Sequence, residues 1–149
     1  MRYALFACLF VLLGCSSIEC PVQNTVACIY QLNDTLKDTL TVMAIRKNRD
    51  TITLNRAQTP LTFKLPVSYQ CATDTLLFKT YRLAVVDTVW VSKTDIPHFE
   101  SVDCGVSYFH QISEVRCTHN GIDSIKISKS FIDYVPDEPH LLIYFKARN

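Results

Sequence analysis

Short runs of apolar, β-branched and aromatic residues, each soon broken by Asn, Asp, Pro or charged side chains, constrain this chain more than anything else in it. They fall near 25–32, 38–46, 50–54, 60–65, 74–80, 83–92, 106–118, 122–128 and 141–146. Residues of these types fit a pleated, half-buried surface, and the breaks between them are turn-formers. Thr is abundant and Ala scarce, and no segment keeps a 3.6-residue apolar period over three turns. Many short strands at even spacing indicate antiparallel sheets closed into a sandwich or a barrel. The expectation is an all-β, single antiparallel β-sandwich, immunoglobulin-like, of about seven to nine strands.

The first fourteen residues follow a different rule. Arg2 gives a positive start, and Tyr3 to Leu13 is an almost unbroken apolar run. A bilayer needs about 20 apolar residues, so this run is too short to span one and suits a signal peptide. It ends in Leu12-Leu13-Gly14-Cys15, which resembles the lipobox read by the lipoprotein signal peptidase. The thiol of Cys15 would carry diacylglycerol through a thioether, and a further acyl group on the new amino terminus would make the anchoring stable. The expected organisation is a signal peptide over 1–14, a lipidated N-terminus and short tether over 15–23, and a β-sandwich domain over 24–149.

Cleavage removes Arg2 and leaves 14 basic against 14 acidic residues. A neutral domain with no basic run has no electrostatic reason to grip nucleic acid or an anionic surface. About 135 residues make one domain with a core of its own. No second apolar segment approaches membrane-spanning length, so the lipid is the expected membrane contact.

His119-Asn120-Gly121 lies between two strand-like runs, and Asn-Gly is a strong hairpin signal. A three-residue loop with Gly121 left-handed would pair Val115 with Ile125 and Glu114 with Lys126, an apolar pair and an ion pair on alternate faces. Cys117 would then face inward. Cys8 leaves with the signal and Cys15 takes lipid, so Cys20, Cys28, Cys71, Cys104 and Cys117 remain. An odd number leaves at least one free thiol or an intermolecular bond, and an exported chain meets an oxidising compartment. Bridging Cys20 in the tether to Cys104 in a loop-like stretch would fasten the N-terminus to the domain. The alternative at this point is that all five stay reduced.

Several segments together carry a resemblance. They are Cys15-Ser16-Ser17-Ile18-Glu19-Cys20-Pro21, Asp38-Thr39-Leu40-Thr41-Val42, Pro97-His98-Phe99-Glu100-Ser101-Val102-Asp103-Cys104, Phe109-His110, Ile122-Asp123-Ser124-Ile125 and Ile143-Tyr144-Phe145. The mature chain resembles a family of uncharacterised lipoproteins from Bacteroidota, catalogued only as a domain of unknown function. The resemblance implies a disulfide between Cys20 and Cys104 and implies no reaction. A second resemblance lies in the repeated form Asp, hydroxyl residue, aliphatic, at Asp34, Asp38, Asp50, Asp74, Asp87 and Asp123. It is similar to an acceptor motif for O-glycosylation of exported proteins in Bacteroidota, with Thr35 and Thr39 the best candidates beside a turn. The competing explanation is structural: Asp ends turns and Thr with an aliphatic residue begins strands.

Catalytic signals are weak. Cys104, His110, Cys117 and His119, with His98 nearby, are the sharpest metal-ligand set, yet their spacing matches no compact zinc motif, and an oxidised Cys104 could not ligate. Cys28 and Cys117 sit in apolar alternation and read as small core residues, not as reactive thiols. Gly105 and Gly121 are the only mature glycines, so no glycine-rich phosphate loop exists. No catalytic residue, cofactor or metal is therefore expected. The preferred expectation is a non-catalytic binding or assembly subunit, anchored to the outer membrane on its periplasmic face. It would grip an outer-membrane or periplasmic protein through an edge strand, with 141–146 the candidate edge. The alternative is an envelope enzyme using the His98–His119 region, with or without a metal.

Overall fold

The computed structural model describes residues 26–147 apart from 34, 35, 48, 59, 100, 103 and 136. The expected signal segment, Cys15, Cys20 and Thr35 lie outside the described residues. Ten strands form: β1 Ala27–Leu32, β2 Thr39–Ile45, β3 Thr51–Gln58, β4 Thr62–Pro66, β5 Thr73–Thr80, β6 Val85–His98, β7 Ser107–Cys117, β8 Ile122–Ile127, β9 Phe131–Ile132 and β10 Leu141–Phe145. Nine of them lie on the nine segments that the residue pattern marks. The tenth, β9, is two residues long and gives no periodic signal of its own. The described residues contain no helix.

Two sheets face each other, one ordered β4-β1-β10-β8 and the other β3-β2-β5-β6-β7-β9. Alternation builds the core between them. Leu40, Val42 and Ala44 of β2, Leu76 and Phe78 of β5, and Val89 and Val91 of β6 are buried on one side. Tyr30 of β1, Phe63 and Leu65 of β4, Ile122 of β8, and Leu141 and Ile143 of β10 are buried on the other. Tyr30 stacks on Phe63 with ring centroids 5.4 Å apart, and Phe78 crosses the gap to meet both rings. Such aromatic pairs add to the area-proportional gain from burial. The sandwich is therefore as expected, with one departure from a purely antiparallel plan: β1 and β10 run parallel, Tyr30 beside Leu141 and Leu32 beside Ile143.

β7 changes its inward face partway along. His110 and Ile112 are buried, Ser113 and Glu114 are exposed, and Val115 and Cys117 turn back toward the core. The register against β6 slips between Ser92 and Lys93. One extra residue in a strand inverts the alternation beyond it, so both ends of β7 present apolar groups inward.

Two expectations fail. β7 and β8 do not form a hairpin: Val115 pairs with Val91 of β6, and Ile125 pairs with Ile143 of β10. The chain at 118–121 crosses from one sheet to the other. The positive φ belongs to His119 (57°), and no described glycine has one. Gly121 is small for a different reason: a Cβ there would lie 3.2 Å from Asp87 Oδ2 and 3.2 Å from Val85 Cγ1. The second failure concerns 141–146. β10 lies between β1 and β8, so its backbone groups are already paired and it offers no edge. The edges are β4, β8, β3 and β9. β3 carries register shifts and a left-handed Arg56 (φ 46°), β4 ends in Pro66, and β9 is very short. All three are devices that blunt an edge against further pairing.

Candidate functional site

The inward rows of β5 and β6 do not end in apolar residues. Asp74 and Thr80 close the row on β5, and Asp87 and Lys93 close it on β6; all four are buried. A buried carboxylate is tolerated only when donors surround it. Asp87 accepts from the backbone N–H groups of Asn120 (2.6 Å), Gly121 (2.8 Å) and Ile122 (3.0 Å) and from the Thr118 hydroxyl (3.0 Å). Asp38, also buried, accepts from the backbone of Thr39, Arg82 and Leu83. Burial would raise the Asp38 pKa, but these N–H donors outweigh it and hold the carboxyl below its ordinary value. Two of the repeated Asp-hydroxyl-aliphatic motifs, at Asp38 and Asp87, thus use their Asp to organise a neighbouring loop. Thr39 is the first residue of β2 and half-buried.

Asp74 anchors a groove. It accepts from Arg46 Nη1 at 2.9 Å and from the Ser68 N–H at 3.2 Å, which ties the end of β2 to the segment linking β4 and β5. Between these two stretches lies an open depression of about 580 Å³. Arg46, Lys47 and Arg49 line one side, Tyr69, Gln70 and Cys71 the other, and no carboxylate is among the lining residues. Lys47 and Arg49 are exposed, as is Asp50, which accepts from the Arg46 N–H. Tyr69, half exposed, is braced from behind by Tyr108, with ring centroids 5.3 Å apart. Net charge conceals this feature because it averages over the whole domain. The sequence does carry a local signal, which corrects the expectation of no basic run: Arg46-Lys47-Asn48-Arg49 puts three cations in four positions.

Lys93 holds the wall of the groove. Its fully buried side chain donates to the Cys71 carbonyl at 2.8 Å and to Asp95 at 2.9 Å. Asp95 also accepts from His110 Nδ1 at 2.7 Å. Burial would raise Asp95, but the bonds from Lys93 and His110 prevail and keep it below the usual carboxylate range. Burial pushes His110 down, against the opposing pull of Asp95. The three residues join β6, β7 and the groove wall.

The structure does not bring the proposed metal ligands together. His110 and Cys117 lie seven positions apart on one strand, roughly 23 Å at the usual rise. His110 is bonded to Asp95, and Cys104 lies in the β6–β7 connection. Among the described residues no three His, Cys, Asp or Glu side chains converge as ligands. Cys117 does sit beside His119, its sulfur 3.5 Å from Nδ1 and 3.7 Å from Nε2. Near-equal distances place the sulfur over the ring and not along a nitrogen lone pair. His119 Nδ1 donates to the Asp123 carbonyl at 2.7 Å, and burial raises the Cys117 pKa, so the pair lacks the geometry of an activated thiol. Cys28, buried, is pushed up to about 12 by desolvation and is inert. His98 stacks on Phe109 at 4.3 Å. Phe109 and His110 are adjacent on β7, so His98 and His110 occupy opposite faces of the sheet. The free thiols among the described residues are Cys28, Cys71 and Cys117, and Cys104 is not one of them.

Residues 39–145 match the family model described as a family of unknown function (DUF6452), a span that runs from β2 to β10. No curated protein and no solved structure matches the chain.

Proposed function

We propose, given that the chain belongs to a family of unknown function (DUF6452), that it is a lipid-anchored envelope protein whose sandwich binds a partner protein and catalyses no reaction. The groove carries this reading. Its cations and its braced Tyr69 form a surface suited to an acidic, partly apolar segment of another protein, because charge gives orientation and an aromatic ring gives contact area at low entropic cost. The Asp74 and Lys93 bonds fix both walls, so the surface is organised before a partner arrives.

The anchor rests on the sequence Leu12-Leu13-Gly14-Cys15. Lipid on Cys15 would attach the domain to the outer membrane, and Ser16, which does not look like an inner-membrane retention residue, favours the periplasmic face. Membership of a Bacteroidota lipoprotein lineage is part of the same proposal. So is the Cys20–Cys104 bridge, which agrees with the absence of Cys104 from the free thiols. Five peptide steps from Cys15 to Cys20 span at most roughly 18 Å. The bridge would therefore hold the β6–β7 connection near the bilayer.

The test is photocrosslinking in the native envelope with a crosslinking amino acid in place of Tyr69, followed by identification of the adduct. One dominant partner is expected, and the double substitution Lys47→Glu, Arg49→Glu is expected to abolish the adduct while the protein still accumulates. An adduct of unchanged yield in the charge-reversed protein overturns the groove as the binding surface.

A further inference from the structure

β6 and β7 outrun the sheet they belong to. β5 pairs with β6 only as far as Ser92, whereas β6 and β7 stay paired to His98 and Ser107. The hairpin thus projects by about six residues, roughly 20 Å at the strand rise. Among the strands only the short β9 accompanies it, beside His110 and Gln111, while Tyr69 of the β4–β5 connection stacks on Tyr108 and Tyr134 packs against His98 and Phe109.

The projecting tip exposes a group of apolar side chains. Phe99 is 62% exposed, Val102 91% and Val106 53%, all in the connection between the two strands. Val135, 66% exposed, follows Tyr134, whose hydroxyl bonds Ser107 and whose ring meets His98 and Phe109. Ile96, on the last turn of pleat before the tip, is 38% exposed. Nearly half of the large exposed hydrophobic side chains among the described residues therefore sit at this one end. Scattered exposed apolar residues need no explanation, but a cluster at the end of a projecting element does.

We infer that this tip inserts into the surface of the membrane that carries the lipid anchor, with Phe99, Val102 and Val106 entering the boundary between headgroups and acyl chains. The inference rests on the anchoring proposed above and goes beyond it. Cys104 lies within the same connection, and the bridge to Cys20 proposed above, with a tether of roughly 18 Å from Cys15, would leave the tip no position far from the bilayer. The chemistry fits a zwitterionic lipid surface. The described residues of the connection carry no charge, and the sequence puts Glu100 and Asp103 among them. Attraction to anionic lipid is thus absent, and apolar burial supplies the affinity. A membrane contact at the tip also sets the orientation of the whole domain. Lipid at a single point leaves the domain free to reorient, whereas a second contact point restricts it.

The single tryptophan makes the test direct. The full-length lipidated protein, carrying Trp90→Phe with Phe99→Trp, is reconstituted into phosphatidylcholine vesicles with and without bromine on the acyl chains. The tip tryptophan is expected to shift to the blue and to lose most of its emission to the brominated lipid, at low and at high salt alike. A matched protein with Leu61→Trp, an exposed site on the other sheet, is expected to keep its emission. Three results overturn the inference. Protein that floats with the vesicles but shows a solvent-exposed, unquenched tip leaves the anchor standing and removes the insertion. A blue-shifted but unquenched tip means that protein, a second copy included, covers it. Protein that fails to float removes the lipid anchor and the insertion together.

Discussion

His140 is fully buried, and two bonds join it to one residue of another strand. Its Nδ1 accepts from the Ile29 N–H at 3.0 Å, and its own N–H donates to the Ile29 carbonyl at 2.9 Å. These bonds extend the parallel pairing of β1 and β10 past its last regular rung. An imidazole that accepts a backbone N–H must be neutral, and burial, with help from Lys129 nearby, holds His140 below its ordinary 6.5. His110 is lowered too, again chiefly by burial. The unfolded chain takes up these protons as pH falls below about 6.5, and the folded chain resists. Stability is thus fully present above that pH and declines as pH drops through it toward the lowered native values, by at most about 1.4 kcal/mol per pH unit for each histidine. Urea midpoints measured between about pH 7.5 and 5.5 are expected to fall on acidification, less steeply after His140→Gln. A midpoint constant across that interval rejects the assignment. Asp38 and Asp95, lowered by their donors, extend the loss at more acidic pH, because their stabilisation disappears once they protonate.

Among the elements, the corner at 118–121 decides how the sheets connect. Asn120-Gly121 would close a tight hairpin on local preference alone. Asp87 overrides it by drawing three successive N–H groups toward β6, and Lys146 adds a bond from its N–H to the Gly121 carbonyl at 2.9 Å. Asp87→Ala would leave those buried donors without a partner, at a cost of roughly 3 kcal/mol or more. Thermal or urea unfolding of the variant checks this, and a loss below about 1 kcal/mol would show that water replaces the carboxylate. Gly121 belongs to the same device. Its role is close approach to Asp87 and Val85, so a side chain there crowds the carboxylate whatever its φ.

For the whole molecule, the decisive covalent question is what Cys104 joins. The proposed bridge to Cys20 would close a long loop, for which chain-entropy arithmetic gives roughly 4–5 kcal/mol of stabilisation. Non-reducing peptide mapping of the mature protein is expected to recover Cys20 linked to Cys104, with Cys28, Cys71 and Cys117 alkylatable after unfolding. A dominant link from Cys20 to Cys28 or Cys71 would sever the anchor from the β6–β7 tip. The same preparation reports the address, since Cys15→Ala is expected to leave the membrane fraction.

The strand segments were legible in the sequence because alternation and turn residues are local properties, and each of the nine predicted runs holds a strand. The buried character of Cys28 was legible for the same reason. Partner choice was not. Whether β8 pairs with β7 or with β10 depends on Asp87, more than thirty residues away, and nothing near Gly121 records it. The interior position of β10 follows from β1, which lies parallel beside it from the far end of the chain. The repeated Asp-Thr motif does not itself say where its Asp points, and only tertiary contacts turn Asp38, Asp74 and Asp87 inward as caps. Local chemistry fixes where strands form; long-range hydrogen bonds and burial decide which strands meet, and therefore which side chains share the groove and which stand exposed at the tip.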